Sequence, residues 1–138
     1  MILHNLHVST WIFKIDNEFN GWGHASLNVD GIKIVVDLRK KPIEITEKLT
    51  ERVIEILDKA LPNKAKICMP HLYKSWDEYL KNFLQHGGVI EATPVCLPNQ
   101  ISSPSISFMI EPNGDIDLIG SFDWFTGKDY VNMGAFFP

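Results

Sequence analysis

Four turn signals punctuate this chain and set where hairpins and helix ends can fall. They are Asn20-Gly21, Asp30-Gly31, Gly87-Gly88 and Pro112-Asn113-Gly114-Asp115. Val8–Ile15, rich in β-branched and aromatic residues, reads as a buried strand. Ala25–Val29 and Ile32–Leu38 read as two strands of a hairpin turned at Asp30-Gly31. Lys66–Met69 is a short strand or connector, and Val89–Val95 is a strand broken by Pro94. Ser105–Glu111 and Ile116–Gly120 form a hairpin across the Pro-Asn-Gly-Asp turn. The stretch from Phe122 to Pro138 shows no clear period.

Two segments follow the helical period instead. After Pro42, residues Leu49, Val53, Ile56, Leu57 and Ala60 share one helical face, and Leu61-Pro62-Asn63 is expected to stop that helix. Ser75-Trp76-Asp77-Glu78 is a capping box that starts a second helix, with Tyr79, Leu80, Phe83 and Leu84 as its apolar face and Gly87 as a left-handed cap. Strands outnumber helices and hairpins recur. The expected fold is α+β, with a largely antiparallel sheet and helices on one face.

Composition narrows the function classes. With 138 residues, 45% of them hydrophobic and 22% charged, the chain is one ordinary domain and not a disordered one. The net charge is −4, and the densest basic run is Arg39-Lys40-Lys41. That run is either an anion patch or a solvated stretch before a helix, and no nucleic-acid surface is expected. No apolar run approaches a membrane span, and the amino terminus has no basic leader, so a cytoplasmic protein is expected. Cys68 and Cys96 read as reduced thiols. The five histidines form no metal-spaced pair, so no metal site is expected. Neither a nucleophile elbow nor a Walker loop occurs.

Three segments can carry chemistry. Lys14 lies inside the apolar run Trp11–Ile15, ahead of Gly21-Trp22-Gly23-His24. A buried ammonium needs an anion, and glycines let backbone N–H groups approach phosphate oxygens, so a phosphate cradle is one reading. A snorkelling edge-strand lysine beside an ordinary turn is the other. Gly87-Gly88-Val89-Ile90-Glu91-Ala92 places Glu91 where it either faces a ligand or is exposed at a strand end. Asp123, in Gly120-Ser121-Phe122-Asp123-Trp124, either points into a cleft from a strand end or is an exposed loop acid.

Taken in order, these segments resemble the ATP-grasp family, nearest to its branch found in IQ motif-containing proteins. Phe13–Ala25 resembles that family's lysine strand and glycine loop, Gly87–Glu91 its hinge strand, and Ser103–Asp115 with Gly120–Asp123 the hairpin opening its carboxy-terminal subdomain. The resemblance implies ATP as ligand, with Lys14 on phosphate oxygens and Gly21 and Gly23 in the closing loop. It places Glu91 and Ala92 at the adenine edge, and Asp123 near the ribose and phosphates.

It also implies a single partial domain over 1–138, with residues 1–95 as lysine subdomain and hinge and 96–138 as the start of a truncated carboxy-terminal subdomain. Complete members join a carboxylate to an amine or thiol through an acyl-phosphate, using acidic Mg²⁺ ligands on strands beyond this hairpin. Mg²⁺ is therefore expected only if that missing region is supplied, and whether this chain is an enzyme stays open. Pro94, three positions after Glu91, has no N–H for adenine. The ending Gly134–Pro138 reads as a fragment of a longer chain. The alternative is a non-catalytic module, with a protein partner or the remainder of that chain held by the same fold. No IQ-x-x-x-R-G-x-x-x-R pattern occurs, so calmodulin is not implied.

Overall fold

The computed structural model describes residues 1–93, 103–127 and 130–137. Within them the chain forms two compact units, one over Met1–Val95 and one over Cys96–Pro138. Both are antiparallel, as the α+β reading requires, with sheets of four and three strands.

The first unit contains β1 (Thr10–Ile15), β2 (His24–Asn28), α1 (Lys33–Lys40), α2 (Glu47–Lys64), β3 (Ala65–Ile67), α3 (Trp76–His86) and β4 (Gly88–Ala92). Its strand order is β3-β2-β1-β4. Alternation along β1 sends Trp11, Phe13 and Ile15 to one side, where they join Ala25 and Leu27 of β2. All three helices cover that side. α1 brings Val35, α2 brings Leu57 and Leu61, and α3 brings Trp76 and Tyr79.

Tyr79 is fully buried at the middle of the α3 contact. Its ring stacks on Trp76 at 5.4 Å and meets Tyr73 edge-on at 5.3 Å. Its hydroxyl donates to the Gly23 carbonyl at 2.9 Å, with the Phe13 carbonyl at 3.2 Å as second acceptor. One side chain thus ties α3 to both strands of the β1–β2 hairpin.

The α3 start follows its sequence signal. Ser75 Oγ accepts from the Glu78 N–H at 3.2 Å, and Glu78 reaches back to the Lys74 N–H at 2.9 Å, one residue before the cap. Gly87 has φ +82° and ψ 174°, so it ends the helix in an extended mirror-image conformation rather than the left-handed helical one. Leu84 is exposed, because the stripe through Trp76, Tyr79, Leu80 and Phe83 leaves it at the border.

Three further expectations are corrected. Ile32–Leu38 is not a strand: Lys33–Lys40 is α1, and Asp30-Gly31 leads into a helix instead of a hairpin. Ile32, Val35 and Leu38 recur at three-residue spacing and are buried, so helical packing overrides the β-propensity of Ile-Val-Val. Arg39, at the end of α1, is neither an anion patch nor loose. It donates to the carbonyls of Leu6 and Val8 and to Asp30, clamping the amino-terminal segment and holding the Asp30 carboxyl below its ordinary range. Finally, α2 runs through Pro62 to Lys64. Pro62 removes only the one bond its own N–H would make to the Asp58 carbonyl, and the helix closes beyond it with the Ala65 N–H on the Leu61 carbonyl.

The second unit contains β5 (Pro104–Ile110), β6 (Ile116–Thr126) and β7 (Asn132–Phe136), in the order β5-β6-β7. The β5–β6 turn closes with the Gly114 N–H on the Glu111 carbonyl at 2.8 Å and Gly114 at φ +91°. The segment after Phe122, which shows no period in sequence, holds the end of β6 and all of β7. Phe122 contacts Trp124 and Phe137, and Phe125 contacts Phe136. Pro94, Cys96, the stretch to residue 102 and Pro138 lie outside the described residues. No helix among the described residues is long and apolar enough to cross a membrane.

Candidate functional site

The face of the four-stranded sheet away from the helices carries the ionisable groups. Lys14 stands on β1 opposite His24 of β2 and Val89 of β4. The neighbouring row runs Lys66, Ser26, Ile12, Glu91 across all four strands. Lys14 Nζ lies 2.5 Å from Glu91 Oε2, a diagonal pair between β1 and β4. The Lys14 side chain is 34% exposed and that of Glu91 50%, so the pair is open to solvent and to an incoming anion. The anion that a lysine in an apolar strand requires is therefore Glu91, distant in sequence.

The pairing pattern also fixes where main-chain groups point. The Asp16 N–H bonds the Gly87 carbonyl, and the Thr93 N–H bonds the Thr10 carbonyl. Antiparallel alternation then directs Val89 and Glu91 main-chain groups toward β1, and those of Ile90 and Ala92 to the outer edge of β4. Across β1, the Ile15 N–H bonds the Gly23 carbonyl. Lys14 and His24 therefore form a non-hydrogen-bonded pair, the arrangement that brings facing side chains closest.

The loop between β1 and β2 is a braced turn. Asn20 and Gly21 have φ +56° and +83°, and the Trp22 N–H bonds the Phe19 carbonyl at 3.0 Å. Two successive positive φ values make the mirror-image turn that Asn-Gly favours. A Cβ on Gly23 would stand 2.7 Å from Glu18 Cβ, so packing alone requires that glycine. Glu18 in turn accepts from the Tyr73 hydroxyl at 2.8 Å. Gly21 and Gly23 are thus explained by the turn itself.

Burial, and then the Glu18 carboxylate, push the Tyr73 phenol up from 10.0 to about 12. Burial raises Tyr79 as well. Between pH 10 and 12 the unfolded chain has released the Tyr73 proton while the folded chain keeps it, so stability falls as pH rises through this window. We expect a loss on the order of 2 kcal/mol by pH 12 from Tyr73 alone. Urea unfolding at stepped pH checks this, with a shallower slope in Tyr73→Phe.

The sequence-derived site residues divide. Lys14 and Glu91 meet. Ala92 follows on the β4 edge, and Gly21 and Gly23 shape the adjoining loop. Asp123 lies in the second unit, well inside β6 and not at a strand end: it pairs with Pro104 on one side and Phe136 on the other, and it is exposed. Sequence reasoning missed Lys66 and Ser26. The alternation of Lys66 between Ala65 and Ile67 was the available signal. Among the described residues no three His, Cys, Asp or Glu side chains gather as a cation site needs. No metal-dependent step is derived for this chain.

The Lys14-bearing strand, the glycine turn and the facing strand β4 stand in the order that the ATP-grasp resemblance implies. The family model described as "IQCH-like, ATP-grasp" matches residues 1–138, and the chain belongs to that family. Among curated proteins it is 28% identical over 140 residues to IQ motif-containing protein H of Danio rerio, covering 94% of this chain. The chain spans 13% of the length of that relative. No solved structure matches it.

Proposed function

We propose that the sheet face away from the helices is a nucleotide site, with ATP as its ligand. Family membership supports a nucleotide, and the observation that carries the reading is the solvent-open Lys14–Glu91 pair on that face. Glu91 holds the ammonium in place, and phosphate oxygens then compete with the carboxylate for it. The outward main-chain groups of Ala92 offer a donor and an acceptor to the edge of adenine. Gly21 and Gly23 keep the β1–β2 turn narrow beside the phosphates. Ligase chemistry belongs to complete sites and is not assigned to this chain.

Calorimetry of Mg·ATP with this chain and with Lys14→Ala tests the reading. We expect binding that weakens at least about tenfold in the variant, the scale of one charge-assisted contact. Equal affinity in both proteins would remove Lys14 from the site. No binding to either folded protein favours the second reading, a non-catalytic interaction module. That reading draws on the second unit, where Ile106, Phe108, Ile110, Ile116 and Leu118 are all exposed on a three-stranded sheet.

A further inference from the structure

The three-stranded sheet of the second unit has two unlike faces. Its register sets Phe108 opposite Leu118 and Ile110 opposite Ile116, and alternation along β5 adds Ile106 to that face. Phe122 and Trp124 lie on the other face, half-buried and in contact with each other, and Phe122 also meets Phe137. The first face has no such cover. Its five large apolar residues are between 55% and 70% exposed.

An apolar sheet face is stable only when a second layer covers it. Monomers rarely expose contiguous apolar patches beyond a few hundred Å². These five side chains present on the order of 600 Å² per chain, so two such faces together would bury about 1,200 Å², the lower end of a specific interface.

Charge decides among the occupants. The five-residue patch holds no ionisable group, and Asp123 shares its face only beyond Ser121. Glu111, Asp115 and Asp117 gather at the hairpin turn, and Lys128 is the only lysine or arginine in the sequence from Cys96 onward. An anionic lipid surface is therefore disfavoured. A second copy is not. A two-fold axis crossing the strands at Phe108 would lay β5 over β5 and β6 over β6 with the strand directions reversed. Phe108 and Leu118 would then meet their own counterparts, Ile106 would cover Ile110, and the acidic turns would go to opposite ends.

We propose that this face pairs two copies of the chain, sheet on sheet, as a two-fold dimer. Such a dimer gives the interaction reading its partner and rests on that reading's exposed face, whereas nucleotide binding stands or falls apart from it.

The test is sedimentation velocity on the 138-residue chain over a range of protein concentrations. A reversible monomer–dimer equilibrium in the micromolar range is expected. Leu118→Lys puts an ammonium near the two-fold axis and should weaken association at least about a hundredfold. Leu118→Glu should do the same, and a mixture of the two variants should restore the dimer, because each then faces an opposite charge. Leu84→Lys, at a similarly exposed position on α3, should leave association unchanged. Circular dichroism confirms that each variant folds. A chain that stays monomeric up to about 500 µM would overturn the dimer and leave the face to another partner. Undiminished dimer in folded Leu118→Lys, a mixture no better than either variant, an equal loss in Leu84→Lys, or assemblies that keep growing with concentration would each overturn it too. Should the Leu118 variants not fold, Ile116→Thr, which keeps a β-branched side chain, decides with an expected loss of about tenfold.

Discussion

Tyr79→Ala should cost this chain about 3–5 kcal/mol, the range for removing a buried aromatic side chain. Domains of this size are stable by only about 5–15 kcal/mol, so the variant would be unfolded or close to it at 37 °C. Two losses make up this cost. The ring is fully buried between Trp76, Tyr73 and Phe83, and its removal leaves a void that α3 cannot close without leaving β1. The hydroxyl is the donor to the Gly23 carbonyl, which the truncated side chain would leave one bond short. The helix itself barely changes, because Ala is a better helix former than Tyr. Urea unfolding followed by tryptophan fluorescence gives the number. Tyr79→Phe isolates the hydroxyl and should cost about 1–3 kcal/mol. A loss under about 1 kcal/mol in Tyr79→Ala would mean that α3 does not dock as described.

Gly88→Ala should be nearly as damaging, and it should also remove nucleotide binding. A Cβ at this position would lie 2.3 Å from the Lys14 carbonyl oxygen and 2.5 Å from Phe83 Cε2. The first of these is backbone, which cannot swing aside. β4 would have to move away from β1, or Phe83 would have to leave the α3 cluster. Overpacking of this kind costs about 1–3 kcal/mol, with backbone contacts at the upper end. Because Glu91 reaches Lys14 only through the β1–β4 register, displacement of β4 separates the ion pair. Gly120→Ala is the control. Its Cβ would meet nothing within 4 Å, and it should stay within about 0.5 kcal/mol of the natural sequence. Thermal unfolding and Mg·ATP calorimetry on both variants check the pair. Gly88→Ala with unchanged stability would refute the close approach of β4 to β1.

The elements that sequence reveals here are those fixed by local chemistry. Ser75 caps α3 because its hydroxyl meets an N–H three residues on, and Gly114 turns the β5–β6 hairpin because the turn needs positive φ. Elements decided by tertiary packing were misread. Ile32–Leu38 carries strand-forming residues but forms a helix that packs Val35 with Trp11 and Leu27 of the sheet. The end of β6 and β7 have no apolar alternation, since that sheet exposes large hydrophobic residues on both faces. The site was legible only in part. Lys14 stands out as a charge in an apolar run, but nothing local links it to Glu91, 77 positions away.

β1 is a shared wall. Its odd-numbered residues, Trp11, Phe13 and Ile15, belong to the helix-packed interior, while Lys14 belongs to the open face with Glu91. Losing or gaining one residue within it would exchange the two sets, turning an ammonium inward and two aromatic rings outward. The strand can therefore absorb changes of side chain far more readily than changes of length. Insertions and deletions are expected to be tolerated best in the turns, where no face has to be kept in step with another.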